Sequence, residues 1–219
     1  MAILKLKKKG VETQSQWQDA WEHIDTLVSR EELNTLTEKT LDEMTRVLKR
    51  YPNAAYGWSG GKDSLVLSHL CEQVGVKAGV WGTMSPVELK AFMDWAHAHK
   101  PEGIEHVDNP AITLRYLAFG SNRKYVFPPT FAEDRWWTAN GTRRAQHIYM
   151  QYNSPDVMLV GRTRADGNYI PENGLMPSAY GLFFSPMRFW PIEFTMAYLH
   201  YHQLLSLIHI SEPTRLRRI

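Results

Sequence analysis

Between an apolar run, "AAYGW" (54–58), and a second one, "LVLSHL" (65–70), the chain carries Ser59, Gly60, Gly61, Lys62, Asp63 and Ser64. Two glycines in a row let a ligand approach the backbone closely, because no side chain stands in the way. A helix starting behind them offers unpaired N–H groups and the positive end of its dipole. An anion, most often a phosphate, is the guest that such a corner suits. Ser59 and Ser64 can donate hydroxyl hydrogen bonds to phosphate oxygens, and Lys62 adds a positive charge. Asp63 repels phosphate. It fits either as a turn or cap residue or as a partner for a magnesium ion bridging the phosphates. The Walker A pattern fails: Asp63 stands where Ser or Thr must follow the lysine, and Tyr56 where the upstream Gly belongs.

Periodicity predicts the elements that position these residues. Trp17, Ala20, Trp21, Ile24 and Leu27 recur at helical spacing over 13–28. "SREE" at Ser29 has the form of a capping box and opens a second helix, which Pro52 and Asn53 end. "AAYGW" reads as a strand and Lys62 to Gln73 as a helix stopped by Gly75. Then follow a strand "VKAGVWG", a helix "SPVELKAFMDWAHAH" capped by Ser85 and boxed by Glu88, a strand "IEHV", and a helix capped by Asn109. A helix over about 131–152, a buried strand "DVMLVG", a Gly/Pro/Asn-rich loop over 162–178, a strand "AYGLFFSPM" and a closing helix from Pro191 complete the pass. This alternation predicts an α/β fold: a parallel twisted sheet with helices on both faces. Ligands in such sheets sit beyond the carboxyl ends of the strands, where the Gly-Gly corner lies. The organisation expected is an N-terminal helical extension over 1–50 and a nucleotide-binding domain over 51–204.

"SGGKDS" resembles the PP-loop of the N-type ATP pyrophosphatase superfamily, which includes the phosphoadenosine-phosphosulfate (PAPS) reductase family. The resemblance implies an adenine nucleotide alpha hydrolase-like fold and a grip on the pyrophosphate of ATP or the sulfate or phosphate end of PAPS. "VGRTRADGNY" resembles the family's Gly-x-Arg-x-x-Glu segment. Gly161 matches, and the family's Arg falls at Thr163 or, with a one-residue slip, at Arg164. "FSPMRFWPIEFTMAYL" resembles a further segment through Pro186 and Trp190, which fixes a loop against the sheet. The resemblance implies Lys62 and Asp63 as catalytic residues, and Ser59, Gly60, Gly61, Lys62, Asp63, Ser64, Gly82, Gly161 and Arg164 as nucleotide-binding ones. Magnesium is the one metal this allows, carried with the phosphates. "VWGTMSPVE" departs from the family: it keeps Gly82 and Pro86 but has Val80 and Trp81 where Asp and Thr would be. The reductases also use a C-terminal cysteine, whereas Cys71, the one cysteine, sits among Leu67, Leu70 and Val74 and reads as a core residue. Three readings follow: a sulfonucleotide reductase, an ATP-dependent adenylyl transferase releasing pyrophosphate, and a nucleotide-binding module without chemistry.

The remaining features narrow the class. One thiol builds no disulfide, zinc or iron–sulfur site within these residues, and a reducing cytoplasm is the natural compartment. No apolar run reaches the length of a membrane span. His97 and His99, like His200 and His202, are two apart on a helix and make poor metal pairs. "RWWTANGTRR" (135–144) reads either as a core aromatic pair beside a basic face or as a stacking surface for a base. "LSLIHISEPTR", Leu205 to Arg215, resembles the conceptual translation of a sequencing-library adapter, so 205–219 is expected to be a non-native tail. Arg215, Arg217 and Arg218 against Glu212 account for the chain's whole net charge of +2. The body is neutral, which gives no support to nucleic acid as a partner. The expected partners are a nucleotide and an acceptor whose identity the residues leave open.

Overall fold

A computed structural model of the chain describes residues 21–85, 88–119 and 142–204. The expected helix over 13–28 is described only from residue 21, where the structure gives α1, Ile24–Leu27. α2 runs from Arg30 to Arg50 and has the predicted box: Ser29 Oγ accepts from Glu32 N at 3.3 Å, and Glu32 Oε2 accepts from Ser29 N at 3.1 Å. β1 is Ala54–Trp58 and α3 is Lys62–Gln73, with Gly75 beyond it at φ +80°. A left-handed residue there is what lets the helix stop and turn.

β2 (Gly79–Thr83), α4 (Lys90–His99), β3 (Ile104–Asp108) and α5 (Pro110–Phe119) follow, then α6 (Thr142–Asn153), β4 (Val157–Leu159), β5 (Leu175–Ser178), β6 (Gly181–Phe184) and α7 (Ile192–Tyr201). Two expectations are corrected. Ser85 does not cap α4: its N–H donates to Asp108 Oδ1 at 2.9 Å, and the Met84 N–H donates to Glu88 Oε1 at 3.1 Å. These bonds hold the segment as a turn after β2, so α4 starts only at Lys90 with Leu89 as N-cap. The loop predicted over 162–178 ends in a strand, because Leu175–Ser178 forms a hairpin with β6 whose tight corner needs Gly181 at φ +130°. The expected helix over 131–152 begins at Thr142 within the described residues.

The sheet order is β3-β2-β1-β4-β6-β5. Every neighbouring pair is parallel except β5 with β6, so one antiparallel edge strand is added to a parallel sheet. Alternation sorts the side chains onto two faces. Ala55, Val80, Met158 and Phe183 pack with Ala145, Tyr149 and Met150 of α6. Tyr56, Trp58, Trp81, Val157, Leu159 and Phe184 face α3, α4 and α7, and Ile24, Leu33 and Met44 of α1 and α2 join that same core. The N-terminal helices thus share one hydrophobic cluster with the sheet. Arg188, 5% exposed, ties α2 down: it donates to Glu43 at 2.9 and 2.6 Å and to the carbonyls of Glu172 and Ser185. Beside it, Trp190 Nε1 donates to Thr40 Oγ1 at 2.9 Å.

Candidate functional site

The chain passes from β1 outward to β2 and β3 on one side, and to β4 on the other. The gap between the carboxyl ends of β1 and β4 is thus the point where the strand order reverses, the place where α/β sheets leave a crevice. Both segments singled out in the sequence end there.

At the end of β1, Gly60 adopts φ +71°, which turns the chain into α3. Ser64 Oγ donates to Gly61 O at 2.9 Å and accepts from Ser59 N at 3.1 Å, with Ser59 Oγ 3.2 Å away. The two serines thereby brace the corner. Gly61 is the N-cap and has no side chain to give, so nothing caps the first turn of α3 from the side-chain end. Its dipole and early N–H groups stay available to an anion. Lys62 Nζ is held by both oxygens of Asp63, at 2.7 and 2.8 Å. Burial pushes the Asp63 carboxyl above its usual range, the Lys62 ammonium opposes this, and Asp166 adds to it. Among the described residues no group of three or more His, Cys, Asp or Glu side chains is placed to hold a metal ion.

At the end of β4, Ser185 Oγ lies 3.2 Å from Val160 O and 3.1 Å from Arg162 O, fixing the strand's exit. Gly161 lies against the start of α3: a Cβ here would sit 2.9 Å from Asp63 O and 3.0 Å from its carbonyl carbon. Backbone faces backbone, so neither side can yield without moving a strand end or a helix. Gly161→Ala is accordingly expected to destabilise the protein by about 1–3 kcal/mol, the usual cost of overpacking, read as a lower urea midpoint. A midpoint equal to that of the parent chain would show that the two elements have slack between them.

Arg162 is the next residue. Burial lowers the pKa of its guanidinium, and the neighbouring Arg143 lowers it further. No carboxylate forms an ion pair with it among the described residues. Arg143, Arg144 and Arg162 also act together on His147, whose pKa is lowered first by burial and then by these charges. A small cavity of about 190 Å³ joins the two strand ends, lined by Ser59, Gly61, Asp63 and Ser64 on one side, by Gly161 and Arg162 on the other, and by Gln146 of α6 across from Gly57. Whole-ligand pockets run to about 300–1,000 Å³, so this one receives the end of a ligand rather than all of it.

Ser59, Gly61, Asp63, Ser64 and Gly161 thus converge. Gly60 shapes the corner, and Lys62 stands next to it. Arg164 does not join them. Its Nε donates to Ile170 O at 2.9 Å, its Nη1 donates to Glu172 at 3.0 Å, and its guanidinium lies over the Phe189 ring at 4.7 Å. It braces the loop after β4, and Arg162 takes the position at the cavity. The reason is that the strand leaves the sheet at Gly161, so the first side chain past the glycine is the one that meets the corner. Gly82 lies in β2, paired with Val107, away from this cavity. Sequence reasoning missed both Arg162, whose place directly after Gly161 was the one available hint, and Gln146, which carried no signal at all. Cys71 is fully buried, and burial pushes its thiol far above the usual range. His97 packs edge-on against Trp81 and His106, and His99 Nδ1 meets Trp95 O at 2.8 Å, so both serve packing. Arg144 donates to Tyr180 OH at 3.2 Å, while Trp136, Trp137 and the 205–219 tail lie outside the described residues.

No protein-family model matches this chain. No curated protein matches it. Among solved structures, it is similar to phosphoadenylyl-sulfate (PAPS) reductase from Candida auris in a phosphate complex. That likeness has a TM-score of 0.56 and 12% identity, and covers 82% of this chain and 89% of that one. It is also similar to the NH3-dependent NAD synthetase from Campylobacter jejuni subsp. jejuni in complex with a nitrate ion. There the TM-score is 0.56 and the identity 16%, with 78% and 74% of the two chains covered. At these identities the likeness establishes the fold, an α/β sheet of the adenine nucleotide alpha hydrolase-like type.

Proposed function

We propose that this chain, which has the fold of a PAPS reductase and an NAD synthetase, is an enzyme that acts on an adenine nucleotide, ATP or PAPS. It holds the phosphate or sulfate end at the β1–α3 corner. The observation that carries the reading is the meeting of an uncapped helix start, two serines that brace the corner and a guanidinium with no carboxylate partner among the described residues, at the point where the strand order reverses. The helix start is a positive end and the guanidinium a fork of donors, while the serines use their hydroxyl protons within the corner, Ser59 on Ser64 and Ser64 on Gly61 O, and hold its shape; an oxyanion is the ligand that suits such a field. Both structures named above were solved with a small oxyanion, phosphate in one and nitrate in the other.

Of the possible chemistries, adenylyl transfer uses what these residues supply. The α–β phosphoanhydride of ATP breaks, AMP passes to an acceptor nucleophile, and pyrophosphate leaves held by Ser59, the Gly60–Gly61 amides, Lys62 and Arg162. Lys62 reaches the leaving oxygens by releasing Asp63. Fixed donors aimed at developing negative charge lower the barrier without reorganising, and holding the nucleotide end rigidly contributes through orientation. In the sulfonucleotide reductase reading the thiolate is not Cys71, which is buried with its thiol pushed up, but a cysteine in the natural residues that the 205–219 tail replaces.

The test is a titration of isotopically labelled protein with ATP, PAPS and inorganic pyrophosphate. The Gly60 and Gly61 amide signals are expected to shift with each. If none of the three perturbs them, the corner is not an anion site. Where the signals do shift, pyrophosphate release from ATP in the presence of acceptor nucleophiles identifies the adenylyl transfer.

A further inference from the structure

Arg143 stands in the first turn of α6, three residues before Gln146. Residues three apart share a helix face, and on that face Gln146 lines the cavity together with Val160 and Arg162 at the end of β4. Arg143 is rooted one turn further out, beyond the lining, and is exposed. Its charge lowers the pKa of Arg162, and Arg143, Arg144 and Arg162 all act on His147. His147 stacks on Tyr180 with ring centroids 4.0 Å apart, and Arg144 Nη1 donates to the Tyr180 hydroxyl at 3.2 Å. Tyr180 thus fixes two members of this cluster. Among the described residues no carboxylate pairs with any of the three guanidiniums. Like charges gathered without counterions repel and work against the compact state. Such a cluster gains most from a ligand that brings the missing negative charge, and a guanidinium takes an oxyanion through two parallel hydrogen bonds. The cavity of about 190 Å³ receives the end of a ligand at the β1–α3 corner. A guanidinium rooted about 5.4 Å further along α6 is set to meet the next anionic group.

Resting on the nucleotide reading above, we propose that Arg143 and Arg162 together form a second anion subsite, for an oxyanion that lies beyond the one held at the corner. That oxyanion belongs either to the same nucleotide or to the acceptor, and in both cases its oxygens offer a guanidinium the same geometry.

Calorimetry separates the two sources. In the first arm pyrophosphate and ATP are titrated into the parent chain, Arg143→Ala and Arg46→Ala, the last an equal change of net charge at an exposed position of α2. In the second arm inorganic phosphate is titrated into the same chains already saturated with ATP. Arg143→Ala is expected to lose about tenfold in one arm, the worth of one charge-assisted hydrogen bond, while Arg46→Ala stays within about twofold of the parent in both. A loss in the first arm gives the subsite to the nucleotide. A loss in the second, with ATP affinity kept, gives it to the acceptor. The melting temperature of unliganded Arg143→Ala stays at or above the parent's, because the variant relieves the repulsion on Arg162. If neither arm responds, the proposal is overturned. An equal loss in Arg46→Ala also overturns it, since the effect would then be one of overall charge. A lower melting temperature does so too, because Arg143 would then hold the fold. In each of these results the parent still binds pyrophosphate and the corner stands, whereas a parent that binds no anion overturns the corner and the subsite together.

Discussion

Arg162→Ala is expected to weaken binding of ATP and of inorganic pyrophosphate by about a hundredfold, with no loss of thermal stability. Hydrogen bonds to charged groups are worth about 1.5–3 kcal/mol each, and a guanidinium grips an oxyanion through two at once. Losing that fork removes about 3 kcal/mol, and every 1.4 kcal/mol is tenfold in affinity. The folded protein loses nothing comparable, because among the described residues no carboxylate pairs with Arg162 and burial already disfavours its charge. Arg162→Lys keeps a point charge without the fork, so it should recover only part of the affinity. The combination checks the assignment by calorimetry and melting together. If affinity and stability fall in parallel, Arg162 holds the fold and not a ligand. Unchanged affinity would return the clamp to another residue.

Arg188→Ala is expected to have the opposite signature, a large loss of stability. Its guanidinium is 5% exposed, is paired with Glu43 through two bonds, and donates to two backbone carbonyls. Breaking a buried pair by removing one partner costs about 3–5 kcal/mol, since the other charge stays behind without compensation. In a chain of this size each kcal/mol moves the midpoint by about 2–4 °C, so a fall of about 10 °C is expected. Replacing both partners, Arg188→Met with Glu43→Leu, should restore much of it, because well-packed apolar groups often replace a buried pair at little cost. A double variant as unstable as the single one would place the effect in the carbonyl bonds to Glu172 and Ser185. Arg188 holds α2 against the segment after β6, so the same variant also reports how far the N-terminal helices support the sheet.

Local chemistry made several features readable from the residues alone. Ser29 and Glu32 specify a capping box, and Gly75 a helix stop, whatever surrounds them. The Gly60–Gly61 turn between two apolar runs marks a strand–helix corner with a taste for anions, because backbone freedom and a helix start are properties of a few adjacent residues. The alternation of strands and helices implied a parallel sheet. The β5–β6 hairpin was not readable, since four residues with a proline carry too little pattern to mark an edge strand. Neither was the delayed start of α4, where Asp108, more than twenty residues away, takes the Ser85 N–H that a capped helix would have used differently. The site divides in the same way. Its serines, glycines and lysine were fixed by sequence neighbours. The choice of Arg162 over Arg164 depended on where β4 leaves the sheet, and Gln146 entered only because α6 crosses β1 at a glycine. Residues adjacent in the chain share a conformation that propensity and capping dictate, whereas residues that meet across a crevice are brought together by the packing of whole elements, and only the folded sheet decides that.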